Sequence, residues 1–274
     1  MIHGASRQSL VVLRERLNQV LGNRGGSADD ERRLADELDS VSRLFATQPR
    51  LRRTLADPAT DAALRGQLLR RLLENKVGPD TLDLVADAAS QRWSSPWDLA
   101  DAVQTLSDDV LLAAAEQQGR LDAVEDELFR FERILLDSSA LASALDDATA
   151  PVERRVDLVR SLVGAKVEPI TLELVVHAIT SARKHLQLAI DDLLEASAVR
   201  RSRSVARVVS ATELTAQQNR RLGSALTRIY GREIIVRTAV DPDVLGGLEV
   251  RVGNEIIDGT VATRLAAARA FVAG

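Results

Sequence analysis

The chain has 274 residues, 45% of them hydrophobic, which is enough for two or three compact domains with buried cores. No window approaches the run of about eighteen uncharged apolar residues that a membrane span needs. Cysteine is absent and the histidines are only His3, His177 and His185, so disulfides and thiolate metal sites are excluded, and neither a metal nor a cofactor is expected. The formal net charge of −4 hides an asymmetry: residues 1–197 carry 24 basic and 33 acidic groups, residues 198–274 carry 12 and 7. Such a skew can mark a nucleic-acid surface, but the basic part has only Tyr230 and Phe271 to stack on bases, so it is read as a domain boundary and no nucleic-acid partner is expected. The opening MIHGASRQSL lacks the regions of a secretory signal, and the chain is expected to stay in the cytoplasm.

Along the chain, glycine clusters first in GNRGGSADD (22–30); outside it Ala, Leu, Arg and Glu dominate, which predicts helices with short connections. A shift of ninety positions aligns residues 34–90 with 124–180 without a gap, and 19 of the 57 pairs are identical. KVGPDTLDLV (76–85) meets KVEPITLELV (166–175), and Glu37, Arg65 and Leu68 recur as Glu127, Arg155 and Leu158. Leu68, Leu69, Leu72 and Leu73 correspond to Leu158, Val159, Leu162 and Val163, a helical stripe expected to face a core in each copy. Pro79 and Pro169 stand where a helix begins, with Thr81 and Thr171 in its first turn. The expected organisation is two tandem duplicated helical bundles, residues 1–105 and 106–200.

From about Val205 the period changes. SVARVVSAT alternates, TAQQNRRLGSALTRIYG is helical, and EIIVRTAV is strand-like, so residues 201–274 are expected as a small α/β domain with a β-hairpin. The fold class is therefore α+β, mostly α. DPDVLGGLEVRVGNEIIDGTVATRL (241–265) carries four glycines but neither Gly-x-Gly-x-x-Gly nor any Gly-Lys dipeptide, which excludes the two common phosphate cradles. Its alternation of Leu248, Val250 and Val252 with Glu249 and Arg251 predicts a strand, Gly253-Asn254 its turn, and Gly246-Gly247 a bulge or sharp entry. Asp258-Gly259-Thr260 is expected to end the sheet and cap a last helix, VATRLAAARAFVA.

Those residues carry a resemblance. GGLEVRVGNEIIDGTVATRL is similar to the carboxyl-terminal signature of the delta subunit family of rotary F-type ATP synthases, through Gly246, Gly247, Gly253, Asp258, Gly259 and Arg264. Thr260 stands where that family more often has serine, which keeps the hydroxyl. The helical segment from about Asp109 to Val199 resembles the family's amino-terminal domain, and the first copy resembles the duplicated helical domain of actinobacterial members. Some relatives fuse that domain to a membrane-anchored b-type segment, which this sequence does not carry. The resemblance implies a non-catalytic subunit of the peripheral stalk, at the cytoplasmic face of the membrane. Its partners would be the amino-terminal helices of the head alpha subunits and one or more b-type stalk subunits. The family uses its first and fifth helices for the alpha contact, which implies Leu111, Leu112, Leu172, Val176 and Ile179. The second copy is favoured because Ala86 and Ala89 stand opposite Val176 and Ile179 in the first. The alternative kept beside it is a nucleic-acid or regulatory binding module using the basic last domain.

Other features have plainer readings. Asp29-Asp30-Glu31, Glu125-Asp126-Glu127 and Asp191-Asp192 read as solvated helix faces, because neighbouring side chains on a helix diverge. His177 and His185 lie two helical turns apart, too far for a helical metal pair. Trp93 and Trp97, in RWSSPWDL, read as a helix corner rather than as partner anchors. Arg200, Arg201 and Arg203 leave a helix C-terminus, where cations complement the dipole.

Overall fold

The computed structural model describes residues 4–24, 27–180, 185–203, 205–230, 234–241, 244, 246–252 and 255–260. Contacts divide the chain into two compact units, Met1–Leu194 and Glu195–Gly274. The helices in order are α1 (Ala5–Arg24), α2 (Ala28–Thr47), α3 (Pro49–Ala56), α4 (Ala62–Leu73), α5 (Pro79–Ser90), α6 (Pro96–Gln117), α7 (Leu121–Asp137), α8 (Ser139–Asp146), α9 (Val152–Val163), α10 (Pro169–Thr180) and α11 (Leu186–Arg203).

The ninety-residue register is visible in the helix starts: Pro49 and Ser139, Ala62 and Val152, Pro79 and Pro169, Pro96 and Leu186. The same shift carries α1 onto α6. Thus α6 is the last helix of the first copy and the first helix of the second, and the expected boundary between residues 105 and 106 falls inside it. Its start is held by Ser95, whose hydroxyl accepts from the Trp97 amide while Asp98 reaches back to the Ser95 amide, with Pro96 at the first helical position. With neighbours on both sides it buries residues around most of its girth, among them Leu99, Val103, Leu106 and Val110. Small residues let α2 lie close along it: the Ser42 hydroxyl donates to the Ala100 carbonyl at 3.1 Å and the Ser107 hydroxyl to the Ala35 carbonyl at 2.7 Å.

Two arginines repeat one tie. Arg65 donates to the Asp57 carbonyl beyond α3 and to the Ser90 and Gln91 carbonyls at the end of α5, at 3.0, 3.2 and 3.1 Å. Arg155 donates to the Leu145 carbonyl of α8 and the Ile179 carbonyl of α10, at 3.1 and 3.3 Å. Each satisfies carbonyls that a helix end leaves over. The leucine stripe proves narrower than expected. Leu69, Leu73 and Val159 face the core, whereas Leu68 and Leu162 are 43% and 39% exposed. Adjacent helical positions diverge by about 100°, so a stripe two residues wide leaves one of them at its edge.

The second unit continues with β1 (Val205–Ser210), α12 (Ala216–Tyr230), β2 (Ile235–Val240), β3 (Leu248–Val252) and β4 (Glu255–Asp258). The strand order is β2-β1-β3-β4. β1 and β2 are parallel, joined through α12, and β3 runs antiparallel to both β1 and β4. Thr215 and Gln218 form a capping box at the start of α12. Ala206, Val208, Leu226, Ile234, Val250 and Val252 make the core, with Glu249 and Arg251 turned the other way as the alternation requires. The hairpin is present, Val252 pairing with Glu255. Its turn at Gly253, the expected last helix and Arg264 lie outside the described residues.

Candidate partner-binding surfaces

The glycine-rich stretch shapes backbone. Gly246 and Gly247 have φ of 65° and 87°, a region that side chains disfavour. A Cβ on Gly247 would collide with the Gly259 carbonyl oxygen and lie 2.9 Å from Thr260 Cα. Gly259 donates its amide to the Leu248 carbonyl at 2.9 Å. The Asp258 carboxylate accepts from the Thr260 amide at 2.9 Å, so the exit from β4 is fastened where the entry to β3 presses on it.

In the first unit the five apolar residues implied for a partner contact divide into two groups. Leu111, Leu112 and Ile179 are 0%, 1% and 2% exposed, closed into the core. Leu172 and Val176 are half-buried on α10 and line an open cleft of about 420 Å³, together with Asp36 and Asp39 of α2 and Arg160 of α9. For Leu111 and Leu112 the reason is the shared helix: α6 has helices of both copies packed around it, so little of its apolar surface is left open. Treating the copies as independent bundles hides this.

The cleft also holds a charged junction that sequence reasoning missed. His177 of α10 is 6% exposed, and its Nδ1 lies 3.4 Å from Asp108 Oδ1 of α6. Burial by itself pulls the imidazole's pKa down, but the hydrogen bond to Asp108 and the charges of Asp39, Asp108 and Asp36 outweigh it and hold it above the ordinary histidine value. Burial raises the Asp108 carboxyl. Arg32 of α2 reaches Glu173 of α10 at 3.6 Å, a tie between the copies. A signal was available in the repeat: His177 and Asp108 replace Asp87 and Asn18 of the first copy.

The remaining candidates resolve locally. Trp93 is buried and donates from Nε1 to the Ala88 carbonyl at 2.8 Å, while Trp97 lies beneath the Arg52 guanidinium. Asp30 closes a capping box with Ser27, with Asp29 and Glu31 beside it in the first turn of α2. His185 is exposed and sits 3.2 Å from Asp146. Among the described residues no helix is long and apolar enough to cross a membrane.

The chain is thus a helical double bundle with an open cleft beside α10, followed in sequence by a small sheet unit. The family description "ATP synthase delta (OSCP) subunit" matches residues 109–270, and the chain belongs to that family. The ATP synthase subunit delta of Streptomyces griseus subsp. griseus is 44% identical over 274 residues, 100% of each chain. That of Salinispora arenicola is 45% identical over 261 residues, 95% of this chain and 94% of its own. That of Streptomyces avermitilis is 42% identical over 268 residues, 97% of each. These matches run through both copies, so the first copy is common to these relatives. A chain of a Toxoplasma gondii mitochondrial ATP synthase hexamer is 21% identical and covers 61% of this chain and 95% of that one, with a TM-score of 0.30, too low to compare the folds.

Proposed function

We propose that this chain joins the catalytic head of an ATP synthase to the membrane-anchored b-type stalk, so that the head is held still while the rotor turns. It does no chemistry of its own and meets the cytoplasmic face of the membrane through its partners. The first unit takes the amino-terminal helix of a head alpha subunit in the cleft beside α10. Leu172 and Val176 make the contact, and Leu111, Leu112 and Ile179 form the rigid wall behind them. The second unit grips the b-type stalk through its signature segment, with Gly246, Gly247, Asp258 and Gly259 setting the backbone there. The observation that carries the reading is the half-exposure of Leu172 and Val176 on a helix whose other aliphatic residues are buried, in a chain of this family. Helix-in-groove burial, at about 25 cal/mol per Å² of apolar surface, suits a joint under torque.

The experiment is capture of an alpha amino-terminal peptide by the full chain. Val176→Asp is expected to abolish capture at an unchanged melting temperature, whereas Ile179→Asp unfolds the bundle. Undiminished capture by Val176→Asp and by Leu172→Asp would remove the cleft from the reading.

A further inference from the structure

Because the two helical copies follow one plan, a place that one fills with its own side chains and the other leaves open reveals what the open one is shaped to hold. In the first copy the angle between the end of α2, α3 and the start of α6 is filled by Arg52 and Trp97. Arg52 is 5% exposed, and its guanidinium carbon lies 3.4 Å from the centroid of the Trp97 ring. Its Nη1 donates to the Phe45 carbonyl at 2.6 Å and the Ala46 carbonyl at 3.0 Å, acceptors in the last turn of α2.

Ninety residues on, Arg52 is replaced by Ala142 and Trp97 by Gln187, and the two carbonyl positions pass to Leu135 and Leu136 at the end of α7. Where the guanidinium and the indole lay there is an open pocket of about 640 Å³, lined by Leu136, Ala142, Asp146, Asp147, His185 and Gln187 among others. The second copy ties this corner in its own way, since Ala56 and Pro96 stand at the corresponding places of the first. Asp146 Oδ1 accepts from the Leu186 amide at 2.7 Å, fastening the start of α11 to the end of α8. Leu136, 55% exposed, offers an apolar wall. The electrostatics suit a cation: the last-turn carbonyls of α7 carry the negative end of its dipole, and Asp147 stands at the mouth beside Asp146. Hydrogen bonds from the Thr149 hydroxyl and amide hold the Asp147 carboxyl below the ordinary range, so the mouth stays ionised.

We propose that this pocket receives an arginine side chain from a partner polypeptide, its guanidinium taking the place that Arg52 fills in the first copy. The internal template favours arginine over lysine. In the template one guanidinium nitrogen donates to both adjacent carbonyls while the planar face lies on an aromatic ring; a guanidinium can lay its faces on apolar walls in this way, while an ammonium is a compact, strongly hydrated point charge with no face to stack. The inference stands apart from the cleft beside α10 and does not rest on the stalk reading.

The test is an NMR titration of the full chain with N-acetyl-arginine amide, and in parallel with N-acetyl-lysine amide. Arginine is expected to give saturable shifts at the amides of Ala142, Ser143 and His185, and lysine to bind about tenfold more weakly. Ala142→Arg combined with Gln187→Trp rebuilds the first copy's filling, and it is expected to abolish the arginine response while keeping or raising the melting temperature. Ala142→Leu narrows the pocket without adding charge and serves as the second variant should the double one fold poorly; it too is expected to lose the response. The proposal is overturned by the absence of saturable arginine shifts, by an equal response to lysine, or by an arginine response that persists in Ala142→Leu.

Discussion

Glu127 does in the second copy what Glu37 does ninety residues earlier. Glu37 Oε2 accepts from the Gly78 amide at 2.7 Å and the Thr81 hydroxyl at 2.5 Å; Glu127 Oε2 accepts from the Glu168 amide at 2.9 Å and the Thr171 hydroxyl at 2.6 Å. In each copy one carboxylate on the second helix thus caps the fifth, a long-range version of a helix N-cap.

Glu37→Ala is accordingly expected to cost about 1–2 kcal/mol of the first unit's stability. Burial raises the Glu37 carboxyl, but bonds from Thr81, Gly78 and Arg33 overcome it and leave its pKa below the ordinary 4.5. Its contribution is therefore present above the unfolded value and lost as pH falls through the folded one. Urea melts of wild type and Glu37→Ala from pH 7 downward should converge on the acid side; a gap that stays constant would mean that Glu37 acts by packing alone.

The arginine tie supplies a ranking. Arg65 is 3% exposed and Arg155 only half-buried. Arg65→Met is expected to cost about 3 kcal/mol, and Arg155→Met less, because each leaves helix-end carbonyls without their donor. Arg65→Lys should recover little, since one ammonium cannot span three carbonyls held by a fork. Chemical denaturation of the three variants decides the order.

His177 gives a pH dependence of the opposite sign. Its pKa in the folded chain is raised above 6.5, so the stability it contributes is complete below that value and is lost as pH rises through the folded one. The first unit should melt lower at pH 9 than at pH 6, and His177→Gln should flatten that part of the profile. An unchanged profile in His177→Gln would assign the slope to another group.

Gly247→Val is expected to destabilise the second unit by roughly 3 kcal/mol or more, by combining a disfavoured positive φ with collision against Gly259 and Thr260. Gly259→Ala should be milder, since its Cβ meets only the Leu248 carbonyl, at 3.2 Å. Circular dichroism during urea unfolding measures both; equal stability of Gly247→Val and wild type would show that the turn can relax.

What was legible in the sequence was what a local pattern encodes. Pro79 and Pro169 announced helix starts, the ninety-residue identity announced a helix order that recurs at that spacing, and the alternation from Leu248 to Val252 announced a strand. The covering of Leu111 and Leu112 was not legible, because an apolar residue looks the same whether it lines a groove or meets another helix, and α6 is enclosed by helices of both copies. The His177–Asp108 pair, 69 residues apart, depends on the same packing. The open pocket beside Ala142 was hidden for a related reason: a vacancy is a missing side chain, and only the filled copy reveals what is missing.

The sharing of α6 has a mechanical consequence. Two domains joined by a loop can pivot, but these two bundles hang on a single rod of 22 residues, about 33 Å long, with no joint along it. A load that tilts one bundle has to twist or bend that rod, and bending it means stretching hydrogen bonds on one side of the helix over several turns. The double bundle should therefore behave as a stiff strut, and a proline at Thr105, between the parts of the rod that serve each bundle, is the kind of change that would give it an elbow.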